Sequence, residues 1–185
     1  LVARAPEILA ANALDVADAR SEVEAGRMSG AMAKRPGLSP ERLGELATGL
    51  RDLAALEEPI GRVLRATELA EGLMLRQVSS PLGVLLVIFE SRPDALPQIA
   101  GLALRAGDGL LLKGGKEAAR SNEVLHRVLT EALEPEIPRE VIGLVTSREA
   151  IDDLLGLHDV IDLVIPRGSN ALVSSIQART RIPVL

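Results

Sequence analysis

The sequence predicts an α/β protein: a doubly wound, mostly parallel sheet preceded by N-terminal helices and a β-hairpin arm. Three observations lead to this fold class. Short apolar runs alternate with amphipathic segments from Leu82 onward, the run LGVLLVIF is apolar almost throughout, and helical periodicity dominates the first 60 residues. A strand that is apolar at nearly every position is typical of a parallel sheet covered by helices on both faces.

Five apolar runs define the expected strands. In chain order they read LGVLLVIF, GLLLK, VIGLV, VIDLVIP and IPVL, and helical patterns lie between them. The helix after GLLLK has a one-sided apolar face made of Val124, Leu125, Val128, Leu129 and Ala132. This alternation predicts a Rossmann-like domain over residues 81–185.

Charged residues on that same helix recur at four-residue spacing. They are Glu123, Arg127 and Glu131. Opposite charges four residues apart are neighbours on a helix surface, so the spacing predicts a solvated row of ion pairs along the helix.

Residues 1–60 form the predicted N-terminal helical segment. Apolar residues recur at helical spacing in two groups: Ala10, Ala13, Leu14 and Ala17, then Leu43, Leu46, Ala47, Leu50, Leu53 and Ala54. Ser39 followed by Pro40 is typical of a helix start, with serine as the N-cap and proline at the first helical position. The stretch GRMSGAMAKRPG between the two helices is glycine-rich and predicts a mobile linker.

Residues 61–80 form the predicted hairpin arm. The pattern from Val63 to Ser79 fits two short strands, and Glu71-Gly72 supplies turn chemistry between them. A hairpin outside the main alternation of strands and helices serves either as an oligomer contact or as an ordinary surface feature.

Composition excludes several functional classes. The formal net charge is -5, and the chain has one Phe and no Trp or Tyr, so neither a basic face nor stacking platforms for nucleic acid are expected. No apolar run approaches the ~20 residues that span a bilayer, so no membrane partner is expected. The chain has no cysteine and only two histidines, so we expect no disulfide and no metal site.

Three polar loops follow predicted strands: FESRPD, KGGKEA and PRGSNA. Ligands of open parallel sheets lie at the carboxyl ends of the strands, where helix N-termini favour anions, so these loops indicate a nucleotide. The usual fingerprints are absent, since there is no G-x-G-x-x-G, and Leu110 and Glu117 break the P-loop pattern.

Plain structural roles stay open for each loop. Gly114-Gly115 suits either a phosphate or a tight turn with positive φ, Lys113 and Lys116 suit a solvated surface, and Ser169 suits an ordinary N-cap. Glu90 and Asp94 suit an acid–base pair, although a carboxylate in the position of Asp94 also suits a helix cap.

The run SSPLGVLLVIFESRPDALPQIAGLALRAGDGLLLKGGKEAARSNEVLH closely resembles glutamate-5-semialdehyde dehydrogenase, also called gamma-glutamyl phosphate reductase, a branch of the aldehyde dehydrogenase superfamily. The runs EEPIGRVLRATELAEGLMLRQVSSPLGV, GLVTSREAIDDLL and DVIDLVIPRGSNALV match as well. The sequences of these runs are most similar to the C-terminal module of the plant and algal delta-1-pyrroline-5-carboxylate synthases. The resemblance spans about residues 10–185.

The resemblance implies NADPH-dependent reduction of gamma-glutamyl phosphate to glutamate-5-semialdehyde in proline biosynthesis. It implies that Lys113 contacts the adenosine ribose, with Gly114 and Gly115 beside it. NAD-using relatives often carry a glutamate where this chain has Lys116, and a positive charge there suits the 2′-phosphate of NADP.

The same resemblance matches Arg167, Gly168 and Ser169 to the opening of the helix that receives the pyrophosphate. It also places Glu90, Ser91 and Arg92 near the reacting carbonyl, where Arg92 suits a substrate phosphate or carboxylate.

The family's nucleophile is a cysteine in a second, catalytic domain, and this chain has none. We therefore expect a cofactor-binding portion that is inactive alone, with the catalytic domain and further copies of the chain as its partners. The chain begins with Leu1 and ends on a strand-like IPVL, which suggests a piece of a longer protein. The expected compartment is the cytoplasm, with plastid and mitochondrion open.

Overall fold

The computed structural model describes residues 1–134, 136–147 and 149–185. Its elements run in the following order: α1 Ala5–Glu24, α2 Gly30–Ala33, α3 Pro40–Ala55, β1 Val63–Ala70, β2 Leu73–Val78, β3 Val84–Phe89, α4 Ala95–Arg105, β4 Gly109–Lys113, α5 Ala119–Leu133, β5 Ile142–Leu144, α6 Ala150–Leu155, β6 Leu163–Arg167 and α7 Asn170–Gln177. Three short 3₁₀ turns cover Val2–Arg4, Lys116–Ala118 and Arg139–Val141.

A parallel sheet with the order β5-β4-β3-β6 forms the centre of the fold. Strand β3 pairs with β4 on one side and β6 on the other, so the chain reverses its direction of winding at β3. Successive residues of β3 enter opposite cores: Leu85, Val87 and Phe89 pack towards α3, α4 and α5, and Leu86 and Ile88 pack towards α6 and α7. The predicted doubly wound α/β fold is confirmed.

The prediction of a fifth regular strand at IPVL is wrong. The run IPVL forms a single parallel bridge between Val184 and Val164. Two hydrogen bonds hold it, from the Val164 amide to the Pro183 carbonyl (2.9 Å) and from the Leu185 amide to the Val164 carbonyl (3.1 Å). Proline at position 183 has no N–H to donate, which helps to limit the pairing.

Helix α1 buries a different face from the predicted one. Leu14 is 56% exposed, and Ala10, Ala13 and Ala17 are exposed with it. The buried positions are Ile8, Asn12, Asp15 and Ala19. A periodicity count assigns polar residues to the solvent, whereas here two polar side chains are buried because each finds hydrogen-bond partners.

Those two side chains, Asn12 and Asp15, form what we call the α1 clamp. The Asp15 carboxylate accepts hydrogen bonds from the Ser121 amide (2.8 Å), the Ser121 hydroxyl (2.7 Å) and the Arg120 amide (3.4 Å). Asn12 donates to the Ser121 hydroxyl (3.0 Å). Helix α5 has no side-chain cap of its own, since Ala118 stands at its N-cap position. Asp15 therefore caps α5 from another helix, with its charge at the positive end of the helix dipole.

The same clamp fixes the segment between α1 and α3, which the sequence predicts as a mobile linker. Asn12 donates to the Pro36 carbonyl (2.5 Å), and its own carbonyl accepts from the Leu38 amide (2.8 Å). Ala33 and Pro36 are buried. The segment thus contains a short helix and two buried residues, and it is hydrogen-bonded to α1 at Pro36 and Leu38.

Other predicted details of the helices have mixed outcomes. Ser39 caps α3 as predicted, accepting from the Arg42 amide at 3.2 Å. The row of ion pairs along α5 is wrong: Arg127 binds Glu7 (3.0 Å) and Glu131 binds Arg4 (2.9 Å). These charges tie α5 to the start of the chain, because the two elements lie side by side.

The predicted hairpin is confirmed, with β1 and β2 antiparallel and Gly72 at positive φ in the turn. Its side chains are almost all exposed, on both faces. The exposed apolar residues are Val63, Leu64, Leu69, Leu73, Met74, Leu75 and Val78.

Replacing Asp15 by alanine should lower the free energy of unfolding by about 2–4 kcal/mol, because α5 loses its cap and the buried Ser121 hydroxyl loses its acceptor. Asp18→Ala is the matched control, since Asp18 is exposed and binds only Arg120, and it should cost less than about 1 kcal/mol. Urea denaturation measures both. Equal losses in the two variants would show that the clamp does not stabilise the fold.

Candidate nucleotide-binding site

The turn after β4 requires glycines because other atoms approach it closely. A Cβ on Gly115 would lie 2.9 Å from the Ser91 amide nitrogen, and a Cβ on Gly114 would overlap the Asn122 side chain. Neither Gly114 nor Gly115 has a positive φ, so the alternative of a tight turn that needs positive φ is wrong. The two glycines let this turn pack directly against the loop after β3.

The two lysines flanking these glycines have different surroundings. Lys113 is half-buried, and its ammonium donates to the Gly114 carbonyl at 2.7 Å. Lys116 is exposed and lines a cleft of about 560 Å³ beside α1, together with Glu22, Arg27 and Glu117. The hydrogen bond from Arg27 lowers the pKa of Glu22, and the charge of Lys116 contributes to the same shift. Lys116 therefore stands among charges of both signs.

The loop after β6 combines an exposed arginine with a helix start. Arg167 ends the strand and is exposed, and Ser169 caps α7 by accepting from the Leu172 amide at 3.3 Å. This confirms the N-cap alternative for Ser169. One capping bond satisfies one of the free N–H groups that open a helix, and the others can still bind an anion. A Cβ on Gly168 would lie 2.9 Å from the Glu90 carboxyl carbon, so this glycine permits the contact between the two loops.

The loop after β3 contains a strained residue. Ser91 has φ of 45°, is 1% exposed, and its buried hydroxyl has no hydrogen-bond partner among the described residues. Positive φ is uncommon outside glycine and is found where surrounding structure enforces it. The neighbours of Ser91, Glu90 and Arg92, are both exposed.

Asp94 does not cap α4, contrary to the safer of the two interpretations from sequence. It occupies the N-cap position without a capping bond, and its carboxylate binds Arg42 (2.7 Å) and Arg92 (3.3 Å). The hydrogen bond that Arg42 donates to Asp94 raises the pKa of Arg42 above its ordinary value, so this guanidinium stays charged. Two cations compete for the carboxylate, which is why it is unavailable to the helix.

The structure brings six of the predicted site residues to two clefts, whereas Ser91, Lys113, Gly114 and Gly115 line neither of them. Glu90, Arg92, Arg167, Gly168 and Ser169 line one cleft of about 780 Å³, at the carboxyl ends of β3 and β6. Lys116 lines the other, beside α1. The first cleft stands where the winding of the sheet reverses, which is the position where such sheets bind ligands.

Three residues near the clefts were missed from sequence. Asn12 and Asp15 stand three residues apart on α1, and such a polar pair on one helix face is a usable signal. Arg35 lines the first cleft beside Arg92. Its position in the supposed linker, directly before Pro36, concealed it.

Within residues 1–134, 136–147 and 149–185, no group of three or more metal-binding side chains is present. Over the same ranges, no helix combines the length and apolar character that a membrane span needs.

Comparisons with known proteins give matches over the whole chain. It is 58% identical to delta-1-pyrroline-5-carboxylate synthase A of Arabidopsis thaliana over 185 residues, which is 100% of this chain and 25% of the synthase. It is 47% identical to the gamma-glutamyl phosphate reductase of Natronomonas pharaonis over 182 residues, covering 98% of this chain and 41% of the reductase. The chain thus spans well under half the length of these relatives. No protein-family model matches it.

Solved structures agree with these relatives. The gamma-glutamyl phosphate reductase of Thermotoga maritima superposes with a TM-score of 0.91 at 32% identity, covering 98% of this chain and 44% of that one. A NAD-dependent benzaldehyde dehydrogenase of Corynebacterium glutamicum superposes with a TM-score of 0.63 at 17% identity, covering 99% of this chain and 40% of that one, and shows that the fold is shared with aldehyde dehydrogenases. Over its whole length, this chain is homologous to one part of the gamma-glutamyl phosphate reductases and of the delta-1-pyrroline-5-carboxylate synthases.

Proposed function

We propose that the chain is the nucleotide-binding portion of an enzyme that reduces gamma-glutamyl phosphate to glutamate-5-semialdehyde in proline biosynthesis. The observation that carries this proposal is the match to the Thermotoga maritima reductase over 98% of the chain. The cleft at the reversal point of the sheet supports it, because that position suits a nucleotide.

The pyrophosphate of the cofactor is assigned to the N-terminus of α7. The N-terminus of α5 is the alternative, since both helices follow strands of the same sheet. The Asp15 carboxylate already binds the Arg120 and Ser121 amides at the start of α5. A second anion there would meet that charge at close range. At the start of α7, Glu90 lies beside Gly168, but no described carboxylate is bound to the helix amides.

The adenosine end of the cofactor is assigned to Lys113 and Lys116, with the 2′-phosphate of NADP beside Lys116. A cofactor that reaches both α7 and Lys116 must cross the turn formed by Gly114 and Gly115. This turn presents no side chain to it. NADP is favoured over NAD because the Lys116 ammonium attracts the additional phosphate.

This chain cannot carry the covalent step by itself. The family resemblance implies a cysteine that attacks the acyl phosphate and releases inorganic phosphate, and a nicotinamide cofactor then supplies the hydride that reduces the thioester. No cysteine occurs in these 185 residues. The nucleophile must therefore come from a catalytic domain outside them.

A second candidate role, assembly, is favoured by the hairpin. Its two strands expose seven large apolar side chains and leave their outer edges unpaired with any described strand. Exposed sheet edges with apolar side chains are typical of surfaces that pair with another chain. We assign the hairpin to a contact between subunits of a homo-oligomer.

The Lys116→Glu variant should bind NADPH at least about tenfold more weakly, because a carboxylate then repels the 2′-phosphate, and NADH within about twofold of the unchanged chain. The chain has no Trp or Tyr, so fluorescence of the bound nicotinamide reports binding cleanly. Arg51→Glu changes the net charge equally on an exposed face of α3 and is the matched control. Equal weakening of both nucleotides would remove Lys116 from the phosphate site.

The double variant Leu73→Thr/Leu75→Thr should lower the weight-average mass of the species measured by sedimentation equilibrium. Threonine keeps strand propensity but removes the apolar surface through which copies would associate. The control Leu56→Thr/Leu102→Thr removes similarly exposed leucines, one directly after α3 and one in α4. An unchanged mass in the hairpin variant, or the same change in both, would contradict the assignment of the hairpin to subunit contact.

A further inference from the structure

Arginines surround the cleft between β3 and β6 in a protein whose net charge is negative. Arg35, Arg92 and Arg167 line it, with Glu90 as its carboxylate. An adjoining cleft of about 670 Å³ shares Arg35 and Arg92 and adds Arg42 and Asp94. Four arginines face two carboxylates, so the joined clefts carry a local net charge of +2. Such a concentration of charge favours an anionic group of a ligand.

Arg35 is held in position by buried structure. The residue after it, Pro36, is buried, and the Pro36 carbonyl and the Leu38 amide both bind Asn12. The backbone on the C-terminal side of Arg35 is therefore anchored to α1. The Arg35 guanidinium makes no ion pair with any described carboxylate, so it remains available to a ligand.

Arg92 is positioned by two different features. The strained backbone of Ser91 places Glu90 and Arg92 on the surface, on either side of a buried residue. Asp94, whose side chain is 10% exposed, binds the Arg92 guanidinium at 3.3 Å and shares its charge with Arg42 at 2.7 Å. One carboxylate between two guanidiniums leaves an excess of positive charge at Arg92.

Glu90 adds the opposite charge to the same cleft. It is exposed, its carboxylate lies within 2.9 Å of where a Cβ on Gly168 would stand, and it pairs with no basic side chain among the described residues. A phosphate bound between Arg35 and Arg92 would be repelled by Glu90 and by Asp94. A zwitterion would satisfy both signs of charge.

We propose that Arg35 and Arg92 bind the α-carboxylate, and Glu90 the α-ammonium, of the amino-acid substrate. This inference rests on the proposed function, since it describes how the same cleft holds the glutamyl group. Arginine suits this role because its planar fork of N–H donors matches a carboxylate. An ammonium at Glu90 also neutralises the carboxylate that stands beside the pyrophosphate position at Gly168. The amino acid and the dinucleotide should therefore strengthen each other's binding.

Titration of the chain with L-glutamate, glutarate, NADP⁺ and inorganic phosphate, followed by NMR, tests the proposal. L-glutamate carries the whole head group, and glutarate lacks its ammonium. The unchanged chain should prefer L-glutamate to glutarate, and saturating L-glutamate should raise its affinity for NADP⁺. Arg35→Gln and Arg92→Gln should each weaken L-glutamate at least about tenfold. Arg51→Gln is the control and should change nothing.

Glu90→Gln separates this proposal from a merely structural role for the loop. It should remove the preference for L-glutamate over glutarate and, at the same time, tighten NADP⁺, because a negative charge beside the pyrophosphate is lost. A variant that only damaged the fold would weaken both ligands.

Three results would overturn the proposal. They are no binding of L-glutamate to the unchanged chain, an Arg35→Gln variant that loses NADP⁺ or phosphate in place of L-glutamate, and a Glu90→Gln variant that keeps the preference for L-glutamate. The second result would assign Arg35 to the phosphates of the cofactor. If L-glutamate binds as expected while NADP⁺ does not, the proposed nucleotide-binding function fails and the amino-acid site stands.

Discussion

Much of this structure depends on one buried interaction, the Asp15 carboxylate of α1 at the N-terminus of α5. A helix start buried without partners is costly, and α5 has only Ala118 at its own cap position. Asp15 supplies the missing acceptor from a distant part of the chain, with Asn12 one turn earlier joined to Ser121 and to the segment before α3. The clamp thereby fixes three features at once: the packing of α1 on α5, the turn after β4, and the backbone that carries Arg35. Its charge also opposes a second anion at the start of α5, which favours the proposed pyrophosphate position at α7.

The central sheet was predictable because its signal is local and strong. Strand β3 is apolar on both faces, and only a parallel strand between two helical layers needs that pattern. The face of α1 was not predictable from periodicity. A count of apolar residues favours Leu14, whereas the folded protein buries Asn12 and Asp15 because both find hydrogen-bond partners. Those partners lie more than 20 residues away in sequence, so a local pattern does not show them. The predicted last strand forms only one bridge. Its pairing depends on how the chain returns to β6, which is not a local property, and Pro183 has no backbone N–H to donate.

The candidate site shows the same division between local and distant information. Topology alone indicates the loops after β3, β4 and β6, and the structure brings the loops of β3 and β6 together at Glu90 and Gly168. Sequence could not show that Lys116 faces a different cleft, because that depends on where α1 docks. Sequence could not show that Arg35 lines the site either, because its position depends on the α1 clamp. Asp94 was misassigned because a cap and an ion pair require the same residue type, and only the presence of Arg42 decides between them.

The exposed hairpin affects the risk of aggregation while the protein is being synthesised. A two-stranded ribbon alone is marginally stable in water, and here nearly every side chain of β1 and β2 is exposed. An uncovered ribbon of this kind is a template on which another strand can add, and the subunit contact proposed for the hairpin would cover it. Irregularities in its register near Arg65 and Glu68, and the charges of those residues, restrict which strands fit. During synthesis, the time that the ribbon spends uncovered sets the risk of aggregation, so the rate of assembly matters as much as the stability of the fold.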